Sequence, residues 1–295
     1  KTMRVLLGLC SRLGLVPHQY DVTAAFLHAS LDHETYVEQP PAHVVEGKED
    51  WVYRLKKAMY GLKNAPYQWN KHLIGVLRGV GFMQSKQDEC LWSKWNGEKF
   101  VHYLYHVDDF MVVSNDDVME RECFDALSQR LQITNEGEMK MFLGVNVTRH
   151  ADGSFTMDQQ HYIEKLAERF ILDKPGRRPV TTPGDVGRYL GKDEVPTTGV
   201  DIAAAKKLPY QQLVGGLIYA TKTRFDVQYA ISDASRFMSN WGVAHYEHAL
   251  RILWYLYCTR DQGLRLECGG DNGMVLSCYC DANYADSRED SGNDV

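Results

Sequence analysis

Short apolar runs alternate with amphipathic stretches over the first part of the chain. Apolar residues at helical spacing predict helices, whereas short runs of β-branched and aromatic residues predict strands. We predict helices at 2–14, 64–79, 116–131 and 159–170, and strands at 18–22, 36–39, 88–95, 99–107, 110–114 and 141–149. Residues 23–27 have helical composition, and Asn96-Gly97 is typical of a tight hairpin turn.

The second half of the chain has a different pattern. Residues 173–200 are rich in Pro, Gly and Thr, which predicts a linker. Long helical patterns follow at 209–222, 226–239 and 243–258, and residues 275–280 are strand-like. This order indicates an α+β first half followed by a helical second half.

The composition is ordinary for a globular protein. Of the 295 residues, 44% are hydrophobic and 24% are charged, which excludes a disordered tail, a collagen-like chain and a disulfide-rich miniprotein. No apolar run approaches the ~18 residues of a membrane span, so we expect no membrane partner. The seven cysteines are odd in number and lack C-x-x-C spacing, which favours a reduced, intracellular chain.

The formal net charge of −6 hides a basic block. Residues 51–80 contain six Lys or Arg residues and no Asp or Glu. The same block carries five aromatic residues that interleave with the cations: Trp51, Tyr53, Tyr60, Tyr67 and Trp69. Cations interleaved with aromatics suit a phosphate backbone and stacked bases, although a solvated basic face has the same composition.

Adjacent carboxylates interrupt the apolar pattern at Asp108-Asp109. Two like charges at a hairpin tip are poor turn chemistry, and Mg²⁺ would offset their repulsion. Asp21 also ends an apolar run, so the three carboxylates converge if the two strands are neighbours. Three such carboxylates suit two Mg²⁺ ions in a nucleotidyl transfer, with the amides of residues 22–26 cradling phosphates. A solvated Asp-Asp turn is the alternative.

Five ordered blocks of sequence stand out along the chain: DVTAAFL (21–27), TYVEQPP (35–41), VYRLKKAMYGLKNAPYQW (52–69), HVDD (106–109) and FLGVNV (142–147). Together they resemble the reverse transcriptase of copia-type LTR retrotransposons. Residues 210–238 and 245–264 resemble the stretch that follows the reverse transcriptase in those polyproteins. CYCDANYADS (278–287) resembles the first strand of the RNase H domain, so the resemblance covers essentially the whole chain.

The resemblance implies roles for individual residues. Asp21, Asp108 and Asp109 match the catalytic carboxylates, which bind two Mg²⁺ ions, with Mn²⁺ as a substitute. The residues that match the nucleotide-binding set are Val22, Thr23, Ala24, Ala25, Phe26, Gly61 and Lys63. Phe26 matches the bulky residue that favours dNTP over rNTP. The residues that match the primer and template contacts are Leu143, Gly144, Gln211, Gly215 and Tyr219, and Asp281 matches the first RNase H carboxylate.

The fold implied is a right-hand polymerase palm at 1–150, with partial fingers at 32–80. A primer-grip follow-on and linker would occupy 151–200, a helical thumb or connection 201–262, and a truncated start of RNase H 263–295. The expected partners are an RNA or DNA template–primer, dNTPs and other polyprotein segments. The expected location is a cytoplasmic virus-like particle or the nucleus.

The sequence departs from the family at several points. His106 stands where the family has Tyr, and Tyr105 faces the other side of the strand, so it cannot substitute. The strand pair that usually precedes residue 1 is missing, and only one RNase H acid is present. An inactive remnant that only binds template–primer is therefore the main alternative, and an unrelated Mg²⁺ phosphotransferase is a more distant one.

Overall fold

The computed structural model describes residues 1–171, 178–184, 190–191 and 194–267. These residues form two compact units. The first consists mainly of residues 1–143 and 149–155, and the second of residues 144–148 and the described part of 156–265.

The described residues contain eight α helices. They are α1 (Thr2–Leu13), α2 (Ala65–Val80), α3 (Asp117–Ser128), α4 (Gln160–Phe170), α5 (Gly199–Lys206), α6 (Tyr210–Ala220), α7 (Gln228–Ser235) and α8 (Val243–Cys258). Short 3₁₀ helices include Ala25–His28, Pro41–His43 and Phe225–Val227.

The described strands number twelve. They are β1 (His18–Val22), β2 (Tyr36–Glu38), β3 (Val52–Arg54), β4 (Met83–Gln84), β5 (Leu91–Asn96), β6 (Lys99–His106), β7 (Asp109–Ser114), β8 (Ile133–Glu138), β9 (Met141–Phe142), β10 (Val145–Arg149), β11 (Phe155–Asp158) and β12 (Leu264–Leu266).

The first unit is built on an antiparallel sheet of six strands in the order β4-β5-β6-β7-β1-β8. α2 and α3 cover it through a core that includes Trp69, Leu77 and Leu127. β7 lies near the middle of the sheet, and all of its residues after the first are buried. Because both faces of β7 are covered, its sequence is a continuous apolar run and does not alternate between apolar and polar residues. β2 and β3 form a separate two-stranded sheet.

The second unit buries its core between helices. α4, α6, α7 and α8 pack on one another through residues that include Ile163, Leu217 and Leu253. The Arg224 guanidinium is buried among them and pairs with Asp226 at 2.7 Å. Most residues of β10, β11 and β12 also belong to this unit, and these strands form a sheet in the order β12-β11-β10. None of the helices in the described ranges is long and apolar enough to cross a membrane.

Most predicted helices and strands are confirmed, and the mixed architecture with antiparallel sheets agrees with the α+β prediction. The predicted strand at 141–149 is wrong as a single element, because a turn at Leu143-Gly144 divides it into β9 and β10. The helix predicted at 226–239 is likewise shorter, since a 3₁₀ helix precedes α7 and α7 ends at Ser235. Six elements were not predicted: β3, β4, β8, β11, β12 and α5. Parts of the predicted linker, and the strand at 275–280, lie outside the described residues.

Candidate active site

Asp21 and Asp109 lie directly opposite each other on neighbouring antiparallel strands. β1 carries Asp21 as its fourth residue, and β7 begins with Asp109. The carbonyl oxygen of Asp108 accepts a hydrogen bond of 2.9 Å from the amide of Val22 on β1. The two strands are therefore neighbours in one sheet, as the convergence of the three aspartates requires.

The surroundings of Asp21 oppose its ionisation. Burial raises the pKa of the Asp21 carboxyl, and the negative charges of Asp108 and Glu136 raise it further. An upward shift of this kind means that the charged form lacks enough compensating positive charge nearby. The site is thus electrostatically suited to a cation.

Asp109 is held in place by neighbouring groups. Its Oδ1 accepts a hydrogen bond of 2.9 Å from Gln19 Nε2, and its carboxylate also accepts one from the backbone amide of Leu143. Burial raises the pKa of Asp109, these two hydrogen bonds lower it, and the charges of Asp108 and Asp21 raise it, with a net upward shift. The carboxylate is therefore oriented but not neutralised by the protein.

The donor set suits a hard divalent cation, because Mg²⁺ prefers carboxylate oxygens. The three side chains are not drawn together into a ligand cluster, since no group of three or more His, Cys, Asp or Glu side chains in the described ranges is arranged to hold a metal ion. The residues fit Mg²⁺ by their chemistry and by the raised pKa of Asp21 and Asp109.

The hairpin between β6 and β7 differs from the sequence prediction. His106 pairs with Asp109 across the ladder, so the two turn residues are Val107 and Asp108, and Asp109 belongs to the strand. Val107 has φ 62, a left-handed conformation that is unusual for a β-branched residue. Trp69 Nε1 donates a hydrogen bond of 2.7 Å to the Val107 carbonyl oxygen. The strain thus falls on Val107 rather than on the acidic pair.

The segment after Asp21 is not the start of an α helix. Ala24 adopts a left-handed conformation with φ 53, and the four-residue 3₁₀ helix Ala25–His28 follows it. The amide of Val22 already donates to the backbone, and that of Thr23 donates to the Gln132 carbonyl oxygen at 2.8 Å. Both amides are therefore engaged within the chain. The prediction that all the amides of residues 22–26 bind phosphate is wrong for Val22 and Thr23.

The remaining residues of the predicted nucleotide-binding set surround the same 3₁₀ helix and the start of α2. The Phe26 ring packs against the Tyr60 ring with centroids 4.5 Å apart. Gly61 has φ +95, and a Cβ there would meet nothing within 4 Å. The φ value, rather than close packing, accounts for the glycine. Lys63 is exposed just before α2 begins.

The predicted primer grip falls on the turn between β9 and β10. Leu143 and Gly144 both have positive φ, at 51 and 70 respectively. In the second unit, a Cβ at Gly144 would lie 2.6 Å from the hydroxyl oxygen of Tyr219. Two of the five predicted primer and template residues, Gly144 and Tyr219, are thus in contact.

Gln211 and Gly215 lie on α6 together with Tyr219. Gln211 and Gly215 are both exposed, and a Cβ at Gly215 would meet no atom within 4 Å. Gln211 Nε2 donates to the Met238 carbonyl oxygen at 2.9 Å. The Tyr219 ring packs on the Tyr162 ring, with centroids 4.6 Å apart. α6 therefore presents an open face at Gln211 and Gly215, while Tyr219 is partly packed.

The aromatic residues of the basic block do not all face solvent. Trp51, Tyr53, Tyr60 and Tyr67 are exposed, but the Trp69 ring is buried in the core of the first unit. Trp69 is therefore unavailable for stacking on a base, which corrects that part of the sequence interpretation.

Sequence reasoning missed two residues that support the aspartates. Gln19 lies two positions before Asp21 on β1, and this spacing puts both side chains on one face of the strand. That alternation was the available signal. Trp69 had no comparable signal, because its bond to Val107 joins distant parts of the chain.

Asp281, the predicted RNase H carboxylate, lies outside the described residues.

A model of the family described as "Reverse transcriptase (RNA-dependent DNA polymerase)" matches residues 1–184. The chain belongs to the reverse transcriptase family. Curated relatives extend the match over nearly the whole chain and confirm the resemblance to copia-type elements. The retrovirus-related Pol polyprotein from transposon TNT 1-94 of Nicotiana tabacum is 33% identical over 98% of this chain. The corresponding polyprotein from transposon RE2 of Arabidopsis thaliana has the same identity and coverage.

The reverse transcriptase chain spans 22% and 19% of the lengths of those two polyproteins. A putative transposon Ty5-1 protein of Saccharomyces cerevisiae is 32% identical over 90% of the chain, and the match covers 83% of that protein. By family, the chain is a nucleotidyltransferase related to transposon Pol polyproteins.

Proposed function

We propose that this chain extends a primer 3′-OH with dNTPs on an RNA or DNA template. The cross-strand pairing of Asp21 with Asp109 carries this proposal, because it brings carboxylates from distant parts of the sequence to the same end of two neighbouring strands. Family membership supports the reaction class.

Asp21, Asp108 and Asp109 would hold two Mg²⁺ ions, for which Mn²⁺ can substitute. Mg²⁺ held there would supply a lowered pKa for the attacking hydroxyl and positive charge beside the leaving pyrophosphate. The protein's own contribution is to fix the carboxylates. The hydrogen bonds to Asp109 from Gln19 and Leu143 orient that side chain before any substrate arrives.

The nucleotide would lie against the segment after Asp21, with its sugar beside Phe26. The packing of Phe26 on Tyr60 limits how far the Phe26 ring can move. A ring held in this way would clash with the 2′-OH of a ribonucleotide. Ala24 and Ala25 offer backbone close to this position, together with Val22 and Thr23. Gly61 and Lys63 would approach the phosphates and the template, with Lys63 supplying the positive charge.

The template–primer would contact two further surfaces. Leu143 and Gly144 would hold the primer end, because their turn includes the amide that bonds Asp109. The open face of α6 at Gln211 and Gly215, with Tyr219 beside it, would follow the duplex. The exposed aromatics and cations of residues 51–80 suit an unpaired template strand.

We also propose that the chain is organised as a right-hand polymerase. Residues 1–150 would form the palm and partial fingers, 151–200 the linker, 201–262 the thumb and 263–295 the start of an RNase H domain. We also propose that other polyprotein segments complete the enzyme. The site of action would be intracellular, in a virus-like particle or the nucleus.

The second candidate is an inactive remnant that only binds template–primer. His106 favours it, because this residue pairs directly with Asp109 and is exposed where the family has Tyr. The histidine therefore alters the immediate neighbourhood of the carboxylates.

Primer extension on an RNA template with Mg²⁺ separates the two candidates. The purified chain is compared with Asp108→Asn and with Asp125→Asn, which changes an exposed carboxylate on α3. Extension by the wild type and Asp125→Asn, but not by Asp108→Asn, supports the polymerase. Binding of template–primer without extension by any of the three supports the remnant, and extension by Asp108→Asn contradicts the assigned site.

A further inference from the structure

A cavity of about 540 Å³ opens on the helical side of the first unit. α2 forms one wall, and residues 30–32 and Arg130 form the other. None of the three aspartates of the candidate active site lines it. The volume falls within the range of small-ligand sites.

Two buried nitrogen atoms in this wall have no hydrogen-bond partner within the described ranges. Gln68 is only 6% exposed, and its Nε2 has no hydrogen-bond partner in the described part of the chain. The Nε2 atom of His72 is likewise buried and unpartnered. Gln68 and His72 are four residues apart on α2, so both present their polar atoms on one face. Buried polar nitrogen atoms normally have a hydrogen-bond partner, and a ligand bound at this face would satisfy both.

The cavity also carries uncompensated positive charge. Lys71 and Arg130 line it, and neither makes an ion pair or a side-chain hydrogen bond within the described ranges. Burial lowers the pKa of His72, and the positive charges of His28 and Lys57 lower it further. A neutral His72 can still donate from one ring nitrogen.

One carboxylate opposes this charge. Asp32 lines the cavity near the Gln68 amide. Burial tends to raise the pKa of Asp32, but hydrogen bonds from the His33 ring and from its own backbone amide, together with the Gln68 amide, leave it lowered overall. The lining thus holds two cations, Lys71 and Arg130, against one anion.

A glycine keeps the cavity open. Gly75 lies in the interior of α2, and a Cβ there would meet nothing within 4 Å. Its φ is not in the left-handed range, so neither the backbone nor close packing requires a glycine at this position. Glycine weakens a helix interior relative to other residues. A larger side chain at residue 75 would instead extend from the cavity wall.

We propose that this cavity binds a phosphate group, at a site separate from the three aspartates. A phosphate presents several acceptor oxygens to the Gln68 amide, the His72 ring and the Lys71 ammonium. It also matches the planar guanidinium of Arg130, which binds phosphate through two parallel hydrogen bonds. The group is either a free phosphate or pyrophosphate ion or a phosphodiester of a nucleic-acid strand.

Titration calorimetry with inorganic phosphate and with pyrophosphate tests the free ion, and fluorescence anisotropy with a short single-stranded RNA tests the phosphodiester. The double substitution Lys71→Gln with Arg130→Gln should weaken binding of the true source by about tenfold or more, because it removes charge-assisted hydrogen bonds. The control double substitution, Lys86→Gln with Arg121→Gln, makes the same change of charge at two exposed residues that do not line the cavity, and it should leave binding within about twofold.

Two further variants keep the test decisive if the double substitution impairs folding. Gly75→Met should preserve α2, since Met is the better helix former, and should block binding by filling the cavity. Asp32→Asn should strengthen binding by removing the opposing charge. Equal weakening of binding by both double substitutions, or unaltered binding in Gly75→Met, would overturn the proposal.

The two sources give distinct outcomes. Loss of phosphate or pyrophosphate binding in the cavity variants identifies a free ion. If neither ion binds and only the RNA affinity falls in those variants, the ligand is a phosphodiester. The titrations contain no primer, dNTP or Mg²⁺, so their outcome is independent of the test of polymerase activity.

Discussion

Trp69 Nε1 donates a hydrogen bond of 2.7 Å to the carbonyl oxygen of Val107, the residue immediately before Asp108-Asp109. The bond links a buried residue of α2 to a hairpin turn held at positive φ. A residue in a sparsely populated conformation persists only when its surroundings enforce it, and such residues are frequent at functional sites. Trp69 therefore acts as a positioning residue for the acidic turn.

We expect Trp69→Phe to destabilise the fold by about 1–3 kcal/mol, through a lost hydrogen bond and imperfect packing. Primer extension should fall by more than this loss of stability explains, because the turn that carries Asp108 can relax. Urea unfolding and extension rates measured well below the unfolding midpoint separate the two effects.

Trp92→Phe is the matched control. Trp92 is also fully buried. Its Nε1 donates to the Glu89 carbonyl oxygen at 3.1 Å rather than to the Val107-Asp108 turn. A similar loss of stability without a specific loss of extension is expected. If Trp92→Phe impairs extension as strongly, the Trp69–Val107 bond has no special role.

The raised pKa of Asp109 predicts that this residue costs stability when no cation is bound. A carboxyl with a raised pKa in the folded state favours folding at low pH and loses that contribution as pH rises through the folded-state pKa. Asp109→Asn should therefore stabilise the metal-free chain at pH 7, by about 0.5 kcal/mol because solvent partly screens the group.

Urea unfolding of wild type and Asp109→Asn at pH 7 and below pH 3.8, the ordinary carboxyl value, checks the sign. The difference should shrink at the acidic pH, where the carboxyl is protonated in both states. Added Mg²⁺ should stabilise the wild type more than the variant. A variant that is less stable at pH 7 would show that Gln19 and Leu143 fully compensate the charge.

The coarse architecture was predictable because its signals are local. β5, β6 and the Asn96-Gly97 turn follow from alternation and turn chemistry. Most helix ends follow from sequence too, as at Gly14 and Gly81, which have positive φ just after α1 and α2. β8 was missed because ITNEGE is polar, and its place beside β1 depends on pairing with a distant strand.

The candidate site was predictable only in part. Asp21, Asp108 and Asp109 are identifiable because acidic residues interrupt apolar runs. The turn at Val107-Asp108 was misassigned by one residue, because the register is set by the pairing of His106 with Asp109. Tyr105 is buried while His106 is exposed, which confirms that the two residues face opposite sides of the strand.

Phe26→Ala should relax selection against ribonucleotides. Removal of the ring beside the proposed sugar position leaves room for a 2′-OH, so incorporation of rNTP relative to dNTP should rise by about tenfold or more. Single-nucleotide extension with matched dNTP and rNTP measures the ratio. Tyr60→Phe keeps the ring that packs on Phe26 at 4.5 Å and should leave the ratio nearly constant. An unaltered ratio in Phe26→Ala would assign that ring to core packing alone.

Gly144→Ala tests the turn proposed to hold the primer. The added Cβ would lie 2.6 Å from the Tyr219 hydroxyl oxygen, and Gly144 has φ +70, so the substitution combines a clash with backbone strain. We expect a loss of about 1–3 kcal/mol in stability and weaker primer binding. Tyr219→Phe removes the clashing oxygen but not the strain, so the double variant should recover part of the loss. Additive effects, measured by urea unfolding and template–primer affinity, would mean that the contact between Gly144 and Tyr219 is not the cause.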